Sequence, residues 1–216
     1  ANAGRQRLRQ LSHVVRRVAA SGVDIARATT FACGGGLVST VLFVCTANIC
    51  RSPYAEASMK AMLGPHTPFT VLSAGVQAAW LETAGEPACA EMPYGRTTSE
   101  AATIEHLEPH VSTQLNADLI RSADLVIAFE QRHRAAIIDL VPRAQLKTYT
   151  ARQAQRLARA VAAQVWPDSA PERTGDALRD LNAARSWAPF ADDADVADPH
   201  GYGVAAHELC ADEIEE

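Results

Sequence analysis

Through residues 5–20, Leu8, Leu11, Val15 and Val18 recur at helical spacing while Arg7, Arg9, Arg16 and Arg17 occupy the other faces, the pattern of an amphipathic helix. Such a helix packs its apolar stripe on the rest of the chain or on a second copy, making a homodimer; attachment to a membrane surface is the weaker reading. Gly34-Gly35-Gly36 interrupts the pattern and marks a boundary. An N-terminal amphipathic extension, residues 1–36, is thereby set off from a domain at 37–216.

Inside that domain the period changes. Residues 41–44 form an apolar run, 53–63 repeat at helical spacing, and 69–72 form a second apolar run. A helical stretch around 88–107 precedes a third strand at 124–128, a helix at 131–140 and a fourth strand at 146–149. Apolar strands alternating with helices predict an α/β fold, a four-stranded parallel sheet with helices on both faces. Ligands of such sheets bind beyond the C-terminal ends of the strands. Residues 150–184, rich in Ala and Arg, read as one or two helices within an insertion reaching to about 195. Residues 188–197 read as an acidic loop, and a last helix begins near Gly203.

Composition narrows the class. A chain of 216 residues with 48% hydrophobic content can bury one sizeable core. The five cysteines, Cys33, Cys45, Cys50, Cys89 and Cys210, form no CxxC pair and no metal-ligand spacing. A reduced, cytoplasmic setting is therefore expected, with no metal and no cofactor. The net charge of −5 conceals an asymmetry: residues 1–36 carry six arginines against Asp24, and residues 176–216 carry eleven acids against Arg179 and Arg185. Neither end reads as a nucleic-acid-binding arm. The first 30 residues carry arginines throughout and no uninterrupted apolar run, and no later stretch approaches 18 apolar residues, so neither a signal peptide nor a membrane span is expected.

The candidate chemistry lies where the first strand ends. Cys45-Thr46-Ala47-Asn48-Ile49-Cys50-Arg51-Ser52 is a C-x5-R loop, and Pro53 follows at a helix start. The spacing alone is a weak signal, because arginine is common in this chain. Context sharpens it: a cysteine at a strand end and an arginine at a helix start surround one nest of backbone N–H groups, a natural anion site. The same field favours a thiolate, and arginine offers planar paired donors to phosphate oxygens that lysine cannot match. Residues 46–52 would bind the phosphate, with Cys45 as nucleophile and Ser52 steadying the thiolate. The bland alternative, a small buried cysteine closing a core strand, leaves Arg51 and Ser52-Pro53 unexplained.

The run Val-Cys-Thr-Ala-Asn-Ile-Cys-Arg-Ser-Pro-Tyr-Ala-Glu-Ala at 44–57 resembles the signature of low-molecular-weight protein tyrosine phosphatases, which have a flavodoxin-like sheet. Further similarity extends from Thr40 to about Glu215. Ser73-Ala74-Gly75 resembles the family segment whose serine holds the loop asparagine, here Asn48. Trp80 matches an aromatic at the cleft rim, with core packing as its alternative. Gly85-Glu86-Pro87-Ala88, His110-Val111-Ser112 and Ser122-Ala123-Asp124-Leu125 resemble later family blocks, and His110 reads as a loop support rather than a catalyst. Val196-Ala197-Asp198-Pro199-His200-Gly201 resembles the loop whose aspartic acid protonates the leaving oxygen and then activates water. The resemblance implies Asp198 as the general acid; Asp192, Asp193 and Asp195 are its local rivals. Cys50 could pair reversibly with Cys45 to shield it from overoxidation, or could simply pack. Glu130 falls on a family carboxylate position, though an exposed acid at a helix start is the plainer account. His133 reads as a solvated helix-start residue.

The chain departs from the family pattern in four places. Ala47 stands where glycine is usual, a restriction if that residue needs positive φ. His200 replaces the aromatic that follows Asp-Pro, and Tyr202 could take over its role beside a substrate ring. The stretch 150–196 is longer than in minimal relatives, and residues 1–36 have no counterpart. The resemblance therefore implies a cysteine-dependent phosphatase, with phosphotyrosine in proteins as the leading substrate and a small phosphate ester of metabolism as the alternative. Thiol-linked arsenate reduction would need resolving cysteines where Cys89 stands alone, and a non-enzymatic phosphate-binding module would not need Cys45, Arg51 and Asp198 together.

Overall fold

A computed structural model describes residues 40–64, 69–78, 110–162, 177–188 and 195–215, together with four isolated positions between them. The amphipathic helix expected at 5–20, the helical stretch at 88–107, Trp80, Cys33, Cys89, Asp192 and Asp193 lie outside the described residues. In chain order the elements are β1 (Thr40–Cys45), α1 (Arg51–Leu63), β2 (Thr70–Gly75), α2 (Ala117–Ser122), β3 (Leu125–Ala128), α3 (Gln131–Leu140), β4 (Thr148–Thr150), α4 (Ala151–Ala162), α5 (Ala177–Ala184) and α6 (Val204–Glu215).

The four strands form one parallel sheet in the order β2-β1-β3-β4, with Cys45 opposite Gly75 and Val44 opposite Ala128. Side chains alternate across it, as strand geometry requires. Leu42 and Val44 enter a core with Val126, Ala128, Ile120 of α2 and Ile137 of α3. Phe43 and Cys45 face the other way, toward Ala55 of α1, Phe129, Val196 and Cys210 of α6. Farther along that face Ile127 and Tyr149 pack with Leu157 of α4 and Ala184 of α5. Apolar side chains on both faces explain why the strand sequences carry no polar alternation.

The second strand runs on to Gly75, three residues past the expected end, and three further differences from the sequence reading have local reasons. Helix α1 begins at Arg51 rather than Pro53, which leaves the proline in the first turn, where its missing N–H costs no intrahelical bond. Helix α2 is too short to show periodicity; Asn116 starts it by accepting hydrogen bonds from the amides of Asp118 and Leu119. The fourth strand starts at Thr148 because Pro142–Lys147 is a 3-10 helix, closed by a hydrogen bond from Thr148 Oγ1 to the Ala144 carbonyl. Among the described residues no helix is long and apolar enough to cross a membrane.

β1 is a central strand whose neighbours, β2 and β3, connect in opposite directions. The crevice beyond its C-terminal end is a switch point of the sheet, and Cys45 is the last residue of β1.

Candidate active site

Residues 46–50 leave β1 and enter α1 without regular structure, and several carbonyls along this turn are held by the surrounding chain. The carbonyls of Cys45 and Thr46 accept from the amides of Val76 and Gln77, and that of Cys50 accepts from Tyr54. The Asn48 carbonyl accepts from His110 Nε2 at 2.9 Å and Ser112 Oγ at 3.0 Å. In a trans peptide the next N–H points opposite to the carbonyl before it. The amides of Thr46, Ala47, Ile49 and Arg51 are therefore turned away from the scaffold, toward the concave side of the loop. Cys50, the residue before α1, provides no side-chain cap, so the first helical amides also stay open to an anion.

Asn48 holds this shape. It is fully buried with φ 58°, a left-handed conformation that asparagine tolerates better than most residues. Its Nδ2 donates to Ser52 Oγ at 2.9 Å and Ser73 Oγ at 2.8 Å, and its Oδ1 accepts from the Thr113 amide at 2.7 Å. Because the left-handed residue is Asn48, Ala47 needs no positive φ, and its departure from glycine is harmless. Ser73 in turn donates to Glu56 of α1 at 2.5 Å.

Gly75 is required for a different reason. A Cβ on it would lie 2.7 Å from the Ala47 carbonyl carbon and the Thr46 oxygen, and 2.8 Å from the Asn48 nitrogen, all rigid backbone. Gly75→Ala is expected to push the loop off its geometry and lower kcat/KM by about 100-fold, the scale of a one-ångström misplacement. The overpacking would also destabilise by about 1–3 kcal/mol. Steady-state rates and a melting curve on the same preparation check this, and wild-type turnover in the variant would refute it.

Cys45 Sγ lies at the base, 2.9 Å from Ser52 Oγ and accepting from the Asn48 amide at 3.3 Å. Cys45, Cys50 and Cys210 are all buried, reduced thiols. Arg51 is 1% exposed and anchored by its far edge, with Nη1 donating to Glu130 Oε1 at 2.6 Å and to the Val196 carbonyl at 2.9 Å. Its Nη2 donates to Asp198 Oδ2 at 2.6 Å and Thr46 Oγ1 at 3.2 Å, while Nε is buried without a hydrogen-bond partner among the described residues. An oxyanion in the cavity would compete with Asp198 for Nη2, a planar donor group suited to such anions.

Glu130 is the residue the sequence undervalued. Its side chain is 14% exposed rather than solvated, and it bridges Arg51 to Arg132, whose Nε lies 2.5 Å from Glu130 Oε2. Burial alone would raise its carboxyl, but hydrogen bonds from Arg132 and Arg51 outweigh that and hold it below the usual carboxylate range. His133 is likewise not solvated: it is fully buried, with Nε2 2.9 Å from Thr46 Oγ1. The signal available was position, since both residues lie just past the C-terminal end of β3, beside the switch point. Asp195 has a structural role, its carboxylate accepting from the Gln131 amide at 2.7 Å to cap α3.

Cys45, Thr46, Ala47, Ile49, Cys50, Arg51, Gln77, Asp198 and His200 line a cavity of about 240 Å³. The structure thus brings together the nucleophile, arginine and acid candidates, with Ser73 and His110 supporting the loop from behind. His200 stands at the cavity wall, whereas Tyr202 is 78% exposed and is not among the lining residues.

Residues 40–162 match the family described as low molecular weight phosphotyrosine protein phosphatase. Among curated relatives, the low molecular weight protein-tyrosine-phosphatase Wzb of Salmonella typhi is 35% identical over 111 residues, 51% of this chain and 67% of its own length. A protein-arginine-phosphatase of Bacillus subtilis is 35% identical over 118 residues, 52% of this chain and 70% of its own. A solved protein tyrosine phosphatase from Entamoeba histolytica covers 82% of this chain and 90% of its own, with a TM-score of 0.51 at 19% identity, a likeness of fold.

Proposed function

The chain belongs to the low molecular weight phosphotyrosine protein phosphatase family, and on that premise we propose that it hydrolyses phosphotyrosine in proteins through a phosphocysteine at Cys45. The observation that carries this reading is the meeting of Cys45, Arg51 and Asp198 in one cavity. In the first displacement the Cys45 thiolate forms a sulfur–phosphorus bond, the bond to the leaving oxygen breaks, and Asp198 gives that oxygen its proton. In the second, water attacks phosphorus, Asp198 takes back a proton, the sulfur–phosphorus bond breaks, and inorganic phosphate leaves. Ser52 steadies the thiolate in both steps.

The resting contact between Arg51 and Asp198 fits this order. A substrate oxyanion competes for the same Nη2, and two negative charges on one donor repel. Displaced from Arg51, the carboxylate takes up a proton from solvent and turns to the leaving oxygen, where it acts as the acid. Glu130 and the Val196 carbonyl keep the guanidinium in place during the exchange.

Substrate choice rests on the walls above the phosphate. Ala47, Ile49 and the His200 ring are surfaces for an apolar or aromatic group, and Gln77 is the polar side chain beside them. A phenyl ring suits such walls. A phosphoarginine side chain would bring a guanidino group that needs acidic partners, and Asp198, the acidic side chain in the lining, is committed to the chemistry. His200 favours the second reading, a small metabolic ester whose hydroxyl groups it could bond. A panel of phosphotyrosine, phosphoserine and phosphoarginine peptides and sugar phosphates separates these. We expect kcat/KM for phosphotyrosine to lead by at least about tenfold, the scale on which apolar pockets discriminate; sugar phosphates at parity would remove the protein substrate.

A further inference from the structure

We propose that His133 is a positioning residue: its buried imidazole fixes the Thr46 hydroxyl, and Thr46 in turn fixes the phosphate-facing side of Arg51. The inference rests on the phosphatase reading and adds to it a residue that never touches substrate.

The argument begins with the bonding capacity of one oxygen. Thr46 Oγ1 has three neighbours at hydrogen-bond distance: His133 Nε2 at 2.9 Å, Arg51 Nη2 at 3.2 Å and Arg132 Nη2 at 3.2 Å. A hydroxyl has one hydrogen to give and two lone pairs to receive. Guanidinium nitrogens only donate, so the two arginines take both lone pairs. The single hydroxyl hydrogen must go to His133 Nε2, which acts as acceptor. His133 is therefore neutral, with its proton on Nδ1. A proton on Nε2 as well would aim three donors at one oxygen and eject one arginine from it.

The surroundings keep His133 in that state. Burial, reinforced by Arg51 and Arg132 and opposed by Glu130 and Asp198, pulls its pKa down to about 4. Its Nδ1 is buried with no hydrogen-bond partner among the described residues. An imidazole with one orphaned nitrogen is costly where leucine would pack freely, so its value lies at the other nitrogen. That value is greatest in the loaded site: once substrate takes Nη2 from Asp198, Thr46 is the remaining side-chain partner of that nitrogen, and the orientation of the clamp depends on it.

Rates of p-nitrophenyl phosphate hydrolysis and melting temperatures for His133→Leu, His133→Gln, Thr46→Val and His133→Leu/Thr46→Val test this. His133→Leu and Thr46→Val are each expected to lower kcat by about tenfold, the worth of a hydrogen bond acting on a charged group. Glutamine, whose amide oxygen can accept from Thr46, should restore activity to within about threefold of wild type. The double variant should lose no more than about twofold beyond the worse single one, because both act through one contact. Losses that multiply, or a glutamine variant as slow as leucine while melting like wild type, would overturn the proposal. Should His133→Leu fail to fold, Thr46→Val and His133→Gln decide it: full activity in Thr46→Val overturns the linkage. An inactive wild type that also fails to bind inorganic phosphate overturns the phosphatase reading itself, a result distinct from active variants that ignore His133.

Discussion

Replacing Cys45 with serine is expected to lower turnover by more than about 10⁴-fold, the scale on which removing a nucleophile acts, while phosphate still binds within a few-fold of wild type. The two halves of this expectation have separate causes. A thiol becomes a competent anion in the field of the loop and helix terminus, whereas an alcohol needs a general base beside it. The groups hydrogen-bonded to Cys45 Sγ are the Ser52 hydroxyl and the Asn48 amide, neither of which is a base. Anion binding instead depends on Arg51 and on backbone amides held by contacts of Asn48 with Ser73, His110 and Thr113, none of which involves Cys45. Steady-state kinetics on a phosphotyrosine peptide and calorimetric titration with inorganic phosphate measure the two. Turnover within 100-fold of wild type would move the nucleophile elsewhere, with Cys50 the first to test.

Asp198→Asn should depress turnover of a phosphotyrosine peptide by about 10²–10⁴-fold, the usual worth of a general acid. The loss should shrink with p-nitrophenyl phosphate, whose leaving group departs without a proton. That dependence on leaving group distinguishes an acid from a residue that merely holds Arg51, since loss of a holding contact would slow both substrates alike. Asp195→Ala is the companion measurement. It removes the carboxylate that caps α3, so it should cost about 1 kcal/mol of stability and change the leaving-group dependence little. Equal losses on both substrates in Asp198→Asn would remove the acid role.

Most of the sheet was readable from the chain because buried strands and amphipathic helices write their burial into residue type. The run at 41–44 lies on β1, the run at 124–128 contains β3, and the helix at 131–140 coincides with α3. What escaped reading was either short or governed by contacts remote in sequence. Helix α2 has six residues, under two turns, too few for a period to show. The start of β4 was displaced by a 3-10 helix, in which Ala144 is buried and its carbonyl accepts from Thr148 Oγ1.

The site divides along the same line. Cys45, Arg51 and Asn48 belong to one local segment, so the strand end, the helix start and the anion-binding residue types between them are legible along the chain. That much the amino-acid sequence determined by itself, together with the parallel sheet that carries it. Only the tertiary structure decided the rest, because it turns on which side chains meet across distances of 60 to 150 residues. Glu130 and His133, read along the chain as a solvated acid and a solvated histidine, lie behind the loop, the first partly and the second fully buried, because β3 lies next to β1. Asp198 and Asp195 are three residues apart in one acidic stretch, yet one carboxylate meets a buried guanidinium and the other a helix terminus. Composition cannot tell two aspartates apart; the partner each one reaches can.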